Sequence, residues 1–142
     1  MASQSQQLVE QAGAIPFRKR KGKLEFCLIT SARKKKWGFP KGMIDPGETY
    51  LETALKESHE EAGLHGEIIG DPVGSYEYSK WGLELNVTVV LMQVSSVDDE
   101  WDEQHIRRRC WVSESKARNL IDRTELRALL GDAVERISAL DD

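Results

Sequence analysis

Short apolar runs bounded by turn residues mark residues 11–18 (QAGAIPFR) and 24–30 (LEFCLIT) as strands, joined by a basic, Gly-containing turn at 19–23. A second basic loop, 31–36, leads into WGFPKG at 37–42. Residues 66–78 are strand-like but interrupted by Gly70, Pro72 and Gly74. Residues 83–94, rich in Val, Leu and Thr, give the strongest strand signal. An acidic loop at 98–104 and a short strand at 107–112 follow. From Ser113 the period changes to that of a helix, with one piece at 114–120 and another at 125–140. Leu126, Leu129, Leu130, Ala133, Val134 and Ile137 form the apolar stripe of the second piece.

Between the strand groups lies a helix with unusually complete punctuation. Pro46-Gly47 blocks its extension backwards, Thr49 and Glu52 have the spacing of a capping box, and Gly63 stands where a left-handed terminal residue is wanted. Leu51, Leu55, Ser58 and Ala62 share one stripe, expected to pack on the core. Glu57, Glu60 and Glu61 share another. An acidic face can be simply solvated, but such a face usually sets Glu against Lys four residues on, and Glu57 and Glu61 are a like-charge pair at that spacing. The pair costs helix stability by a few tenths of a kcal/mol. A hard divalent cation supplies a reason for it, because magnesium takes oxygen ligands from a few carboxylates plus substrate phosphates.

The stretch from Gly42 to Leu64 resembles the signature of the Nudix hydrolases, G-x5-E-x7-R-E-U-x-E-E-x-G-U with U aliphatic. Gly42, Glu48, Glu57, Glu60, Glu61, Gly63 and Leu64 match in register. Lys56 replaces the family's Arg, and Ser58 its apolar residue. The resemblance implies an α/β fold, an α/β/α sandwich with a mixed β-sheet. It also implies hydrolysis of a phosphoanhydride with Mg2+ as cofactor and Mn2+ as a substitute. Glu57 and Glu61 would be metal ligands, Glu60 a third ligand or a water-orienting carboxylate, and the Lys41 carbonyl a backbone ligand. Glu48 would hold Glu57 or a water from behind. Lys offers only a point charge where Arg offers a planar fork, so Lys56 is expected to order its neighbours less firmly. Ser58 is expected to bond back to its own helix.

Outside the signature, QAGAIPFR, WGFPKG, SYEYSKW and the pattern Trp101, Glu103, Arg107, Arg109, Trp111 are similar to the diadenosine polyphosphate and diphosphoinositol polyphosphate phosphohydrolases. Glu103 is the candidate for an extra acid from a late loop, against Asp99, Glu100 and Asp102 as competitors and a solvated acidic loop as the plain alternative.

Charge sharpens the substrate class. Ten of the chain's 20 Lys and Arg residues fall between Arg18 and Lys41, and six acids against Lys56 alone follow from Asp45 to Glu61. Adjacent blocks of opposite sign suit a small-molecule polyphosphate with a bridging metal, although a solvated hairpin accounts for some of the lysines. Arg18, Arg33 and Lys41 are the favoured phosphate contacts, followed by Lys80 and Arg107. Trp37, Phe39, Tyr76, Tyr78 and Trp81 are candidates to stack on a base, each weighed against an ordinary core role. No nucleic-acid motif accompanies the basic block, so nucleic acid is not the expected partner.

A chain of 142 residues is one domain's worth, here 1–142 with residues 1–9 expected as a flexible tail. No run approaches the ~18 consecutive apolar residues of a membrane span. Residues 1–11 lack the apolar core of a signal peptide, which points to the cytoplasm. Cys27 and Cys110 are expected as free thiols, and none of the three histidines has a partner in sequence that suggests a nucleophile or a zinc site. Oligomeric state is left as monomer or homodimer. Two other classes stand beside the enzyme: a Nudix-shaped binding module that has lost catalysis, and an acidic partner-binding helix that uses no metal.

Overall fold

The computed structural model describes residues 8–140. Its elements run β1 (Leu8–Arg20), β2 (Lys23–Thr30), β3 (Trp37–Gly38), β4 (Lys41–Met43), α1 (Tyr50–Ala62), β5 (Leu64–Lys80), β6 (Leu83–Val97), β7 (Arg109–Val112), α2 (Glu114–Leu120) and α3 (Thr124–Leu140). Seven strands form one mixed sheet with the path β3-β2-β1-β6-β5; β4 adds to β1 and β7 to β2. Only the β1–β6 pair is parallel, from Leu8 opposite Glu84 to Phe17 opposite Gln93. A parallel pair needs a long crossover, and here everything from β2 to β5 lies inside it.

Strand alternation divides the core in two. Ile15, Phe17, Phe26, Leu28, Val87, Val89 and Leu91 point to the face covered by α2 and α3. Ala12, Ala14, Cys27, Ile29, Val90, Met92 and Val94 point to the other, where Ala54 and Ala62 of α1 pack. The result is the expected α/β/α sandwich, with α1 alone on its side. Small residues at Ala12 and Ala14 bring α1 close to the sheet, and its acidic edge comes against β4.

Three sequence expectations change. β5 is continuous across Gly70, Pro72 and Gly74, because a register break between Ile69 and Gly74 absorbs the interruption and Arg136 donates to the carbonyls of Asp71 and Pro72. Leu51 is exposed; the buried stripe of α1 is Thr53, Ala54, Ser58, Glu61 and Ala62, rotated to put a carboxylate into the interface. Leu8 and Val9 belong to β1 and pair with Glu84 and Leu85, so a tail reaching residue 9 is too long; residues 1–7 lie outside the described residues. Cys27 and Cys110 are free, and burial pushes the Cys27 thiol up to about 12.

Candidate active site

The punctuation of α1 forms as its residues dictate. Thr49 Oγ1 accepts from Glu52 N at 3.1 Å, and Glu52 Oε1 accepts from Thr49 N at 2.9 Å. At the other end Gly63 takes φ 67°, and its N–H returns to the carbonyl of His59. The helix therefore starts and stops at fixed points, which sets the rotation that carries Glu57, Glu60 and Glu61.

Glu61 is only 7% exposed. Its Oε1 accepts from Lys41 N at 3.2 Å and its Oε2 from Arg107 Nη2 at 3.2 Å. Glu57 lies against Gly42, where a β-carbon would stand 2.3 Å from its carboxyl carbon. Glycine at this signature position thus leaves the space that the carboxylate occupies. Burial pushes Glu61 up to about 8, the charges of Glu57 and Glu103 add to this, and Arg107 and the Lys41 N–H oppose it. Burial, then the charge of Glu60, also raises Glu57, against the pull of Lys56. The acids are crowded and short of positive charge.

Arg107 ties the late loop to this face. Its Nε donates to Glu103 Oε1 at 2.7 Å and its Nη1 to the carbonyl of Thr30 at 3.0 Å, while the Glu103 N–H donates to the carbonyl of Glu60 at 3.1 Å. Among the late-loop acids, Glu103 therefore stands beside the helix acids. Arg107, expected as a phosphate contact, has its fork engaged by Glu61, Glu103 and Thr30. The two neighbouring signals of that segment are also paired: Arg109 stacks on Trp101 at 3.9 Å and Arg18 on Trp111 at 3.8 Å. The aromatic and basic pattern read from the sequence is in large part a set of stacked pairs holding the loop.

The hydrogen-bond partners of Glu48 are Lys56, Thr53 and Asp45. Lys56 Nζ donates to Glu48 Oε2 at 2.7 Å and to Asp45 Oδ2 at 3.1 Å, while Glu48 Oε1 accepts from Thr53 Oγ1 and the Asp45 N–H. The Lys56 bond, then those from Thr53 and Asp45, hold Glu48 below the usual carboxylate range. Lys56 is raised by the same partners, Glu48 first. The lysine in place of Arg thus pairs with two acids before the helix.

An open cleft of about 1110 Å³ leads to Glu61. Arg33, Lys41 and Lys80 line it, as do all five of the candidate aromatics, Trp37, Phe39, Tyr76, Tyr78 and Trp81. Lys41 Nζ donates to the Tyr78 hydroxyl at 3.0 Å. Arg18 is not brought here; it pairs with Glu25 at 2.9 Å on the β1–β2 hairpin. The basic block is therefore split, with Arg33, Lys34, Lys36 and Lys41 at the cleft and the hairpin cations elsewhere. Lys35 instead donates to the carbonyl of Ile106 at 2.9 Å. Sequence reasoning missed Arg123, which reaches the cleft from the α2–α3 turn and lies 5.3 Å from the Tyr78 ring. Nothing local marks it, since its partners are some 45 residues away in sequence.

Residues 8–131 match the NUDIX domain. The chain belongs to the Nudix family. Among its relatives are the asymmetrical bis(5'-nucleosyl)-tetraphosphatase of Caenorhabditis elegans, 30% identical over 127 residues, 87% of this chain and 92% of that protein. Arabidopsis thaliana Nudix hydrolase 21, chloroplastic, is 33% identical over 87% of this chain. This chain spans 61%, 65% and 54% of the length of the plant Nudix hydrolases 4, 21 and 13. The crystal structure of the C. elegans Ap4A hydrolase superposes with a TM-score of 0.76 at 28% identity, covering 96% of this chain and all of that one.

Nudix proteins use a divalent metal, and the donor set here fits one. Glu57 and Glu61 are crowded oxygen donors raised by burial, and the Lys41 N–H on Glu61 sets the Lys41 backbone beside them. Hard oxygen ligands with surplus negative charge suit a hard divalent cation. Two of the three histidines have a partner that the sequence did not show: His59 and His65 both lie on Asp98, at 3.7 and 2.8 Å. Among the described residues no helix is long and apolar enough to cross a membrane.

Proposed function

We propose that this Nudix protein is a Mg2+-dependent phosphoanhydride hydrolase of dinucleoside polyphosphates, with Mn2+ as a working substitute. The observation that carries the reading is the cleft itself, where five aromatic side chains and the cations Arg33, Lys34, Lys36, Lys80 and Arg123 lead to one buried carboxylate, Glu61. Bases stack on aromatic faces and phosphates pair with the cations. A diphosphoinositol polyphosphate would use the cations and leave the aromatics idle, which makes it the second choice. The asymmetrical tetraphosphatase among the relatives supports the first.

Glu57, Glu61, Glu60 and the Lys41 carbonyl would hold the cation, which supplies neutralisation of phosphate charge and a more acidic water. Arg107 holds Glu61 and Glu103 in register, so that Glu103 can orient or deprotonate the attacking water. Lys56 fixes Glu48 and Asp45 behind the helix start. Retention of all four signature acids argues against a module that only binds. Both free thiols suit a reducing compartment, with the cytoplasm as the proposed place of action.

A rate panel tests the reading: diadenosine tetra- to hexaphosphate and diphosphoinositol pentakisphosphate against ADP-ribose and an oxidised dGTP. The dinucleoside polyphosphates are expected to lead, with a KM that rises with salt. Trp81, 74% exposed at the β5–β6 turn, adds a finer arm. Trp81→Ala should raise KM for diadenosine tetraphosphate about 10-fold through lost stacking and leave the inositol substrate unchanged. Preference for ADP-ribose or the oxidised nucleotide would refute the assignment.

A further inference from the structure

We propose that His59, His65 and Asp98 form a second cation site, on the far side of α1 from Glu61, that takes a borderline divalent transition metal of the Zn2+ type and not Mg2+. The three residues come from separate elements: the last turn of α1, the start of β5 and the residue after β6. Their ligand atoms lie within 4.8 Å of one another. His65 Nε2 stands 2.8 Å and His59 Nε2 3.7 Å from the same Asp98 Oδ2, and the two rings are 4.8 Å apart. Tetrahedral coordination with bonds of about 2.0–2.2 Å places neighbouring ligand atoms about 3.3–3.6 Å apart. The observed separations straddle that value, so exposed side chains need only small rotations to close on an ion.

The backbone beneath the cluster is fixed while the side chains stay open. The Asp98 N–H donates to the carbonyl of Gly63 at 2.8 Å, and Arg109 Nη1 donates to the carbonyls of both Ala62 and Asp98 at 2.7 and 2.9 Å. A register break between His65 and Gly66 redirects the start of β5, and Ser95 Oγ donates to the His65 carbonyl at 3.2 Å. The side chains of His59, His65 and Asp98 are 51%, 44% and 40% exposed, which leaves water to complete the coordination.

A simple Asp–His pair accounts for one imidazole. It does not account for the second, whose ring stands 4.8 Å from the first beside the same carboxylate. A cation bound by two neutral imidazoles and one carboxylate uses all three. Imidazole-rich sets suit Zn2+, Ni2+ and Cu2+, whereas Mg2+ prefers oxygen alone. Helix geometry sets His59 about 200° round α1 from Glu61, so the helix would carry two sites of different chemistry. An ion here would tie the end of α1 to both long strands.

The test is Zn2+ titration of the untagged full chain by calorimetry in excess Mg2+, with Co2+ absorption as a second readout. One Zn2+ per chain is expected in the presence of Mg2+, together with a visible Co2+ band. His65→Ala and Asp98→Asn should each weaken Zn2+ at least ~10-fold and abolish the band. Glu61→Gln and His105→Ala should leave both readouts unchanged. Asp98→Asn keeps shape and backbone bonds, so a folding defect in either variant leaves the other decisive. Absence of Zn2+ binding in excess Mg2+ overturns the proposal. So does Zn2+ binding that disappears in Glu61→Gln but survives His65→Ala, because the ion then sits on the carboxylate face.

Discussion

Glu61→Gln replaces a buried ionisable carboxyl by a neutral amide and leaves the side-chain volume almost unchanged. In the metal-free protein the Glu61 carboxyl, pushed up from 4.5 to about 8, keeps a proton that the unfolded chain releases. Its contribution to stability is fully present below about pH 4.5 and is lost as pH rises toward 8. The interval from 4.5 to pH 7, at about 1.36 kcal/mol per pH unit, comes to about 3 kcal/mol against the folded state. Glutamine avoids that penalty, and its poorer fit to Arg107 offsets part of the gain. A net stabilisation of about 1–2 kcal/mol, or a Tm increase of about 2–8 °C in chelator at pH 7, is expected. The advantage should shrink toward pH 5. With Mg2+ the order reverses, because only the wild-type face holds the ion, and turnover of the variant should fall at least ~10²-fold. Thermal melts from pH 5 to 8.5, with chelator and with Mg2+, plus steady-state hydrolysis, measure all of this. A metal-free variant that melts below wild type at every pH would refute the burial argument. Near-normal turnover would remove Glu61 from the metal site.

Gly42→Ala places a methyl group on the Glu57 carboxylate, so hydrolysis should drop about 10²-fold from misplacement alone while the melting temperature moves little; unchanged rates would show that Glu57 has another working position. Lys56→Met frees Glu48 and Asp45 and should raise the metal concentration for half-maximal rate at least about 10-fold, whereas Lys56→Arg should leave it close to wild type. A large gain from Lys56→Arg would mean that the two lysine ion pairs do not order the site. Arg107→Ala removes the donor to Glu61, whose side chain is 9% exposed, and to Glu103; denaturant melts should show a loss of about 1–3 kcal/mol, together with lost activity. A neutral outcome in stability would mean that the loop is held by Arg109 and Trp101 instead.

What could be read from the sequence was set by neighbours a few residues apart. The Thr49–Glu52 box, the Gly63 terminus and the shared face of Glu57, Glu60 and Glu61 depend on spacings within one helix, and all three form. The strands were recognisable for the same reason, although their ends were not. Leu51 was misplaced because apolarity alone cannot say which of two adjacent stripes meets the sheet; the close approach of α1 over Ala12 and Ala14 decides it. Arg18 and Arg107 show the limit for charge. Both read as free cations, and both meet partners that pairing across the sheet or a loop closure supplies, Glu25 and Trp111 for one, Glu61 and Thr30 for the other. Arg123 and the grouping of His59, His65 and Asp98 depend wholly on tertiary proximity, and no spacing announces them.

The parallel pairing of β1 with β6 has a consequence for the order of events during synthesis. Strand β1 is made before the other described strands and has its longest partner some 76 residues downstream, as the Glu10–Asn86 side-chain bond marks. At a translation rate of 5–20 residues per second, β1 waits on the order of ten seconds for that partner. Until then β1 can lean on the β2 hairpin, β4 and α1, and the slot for β6 is an open edge. The nascent chain presents that edge until β6 emerges, and the core beneath α1 lacks Val90, Met92 and Val94 until then.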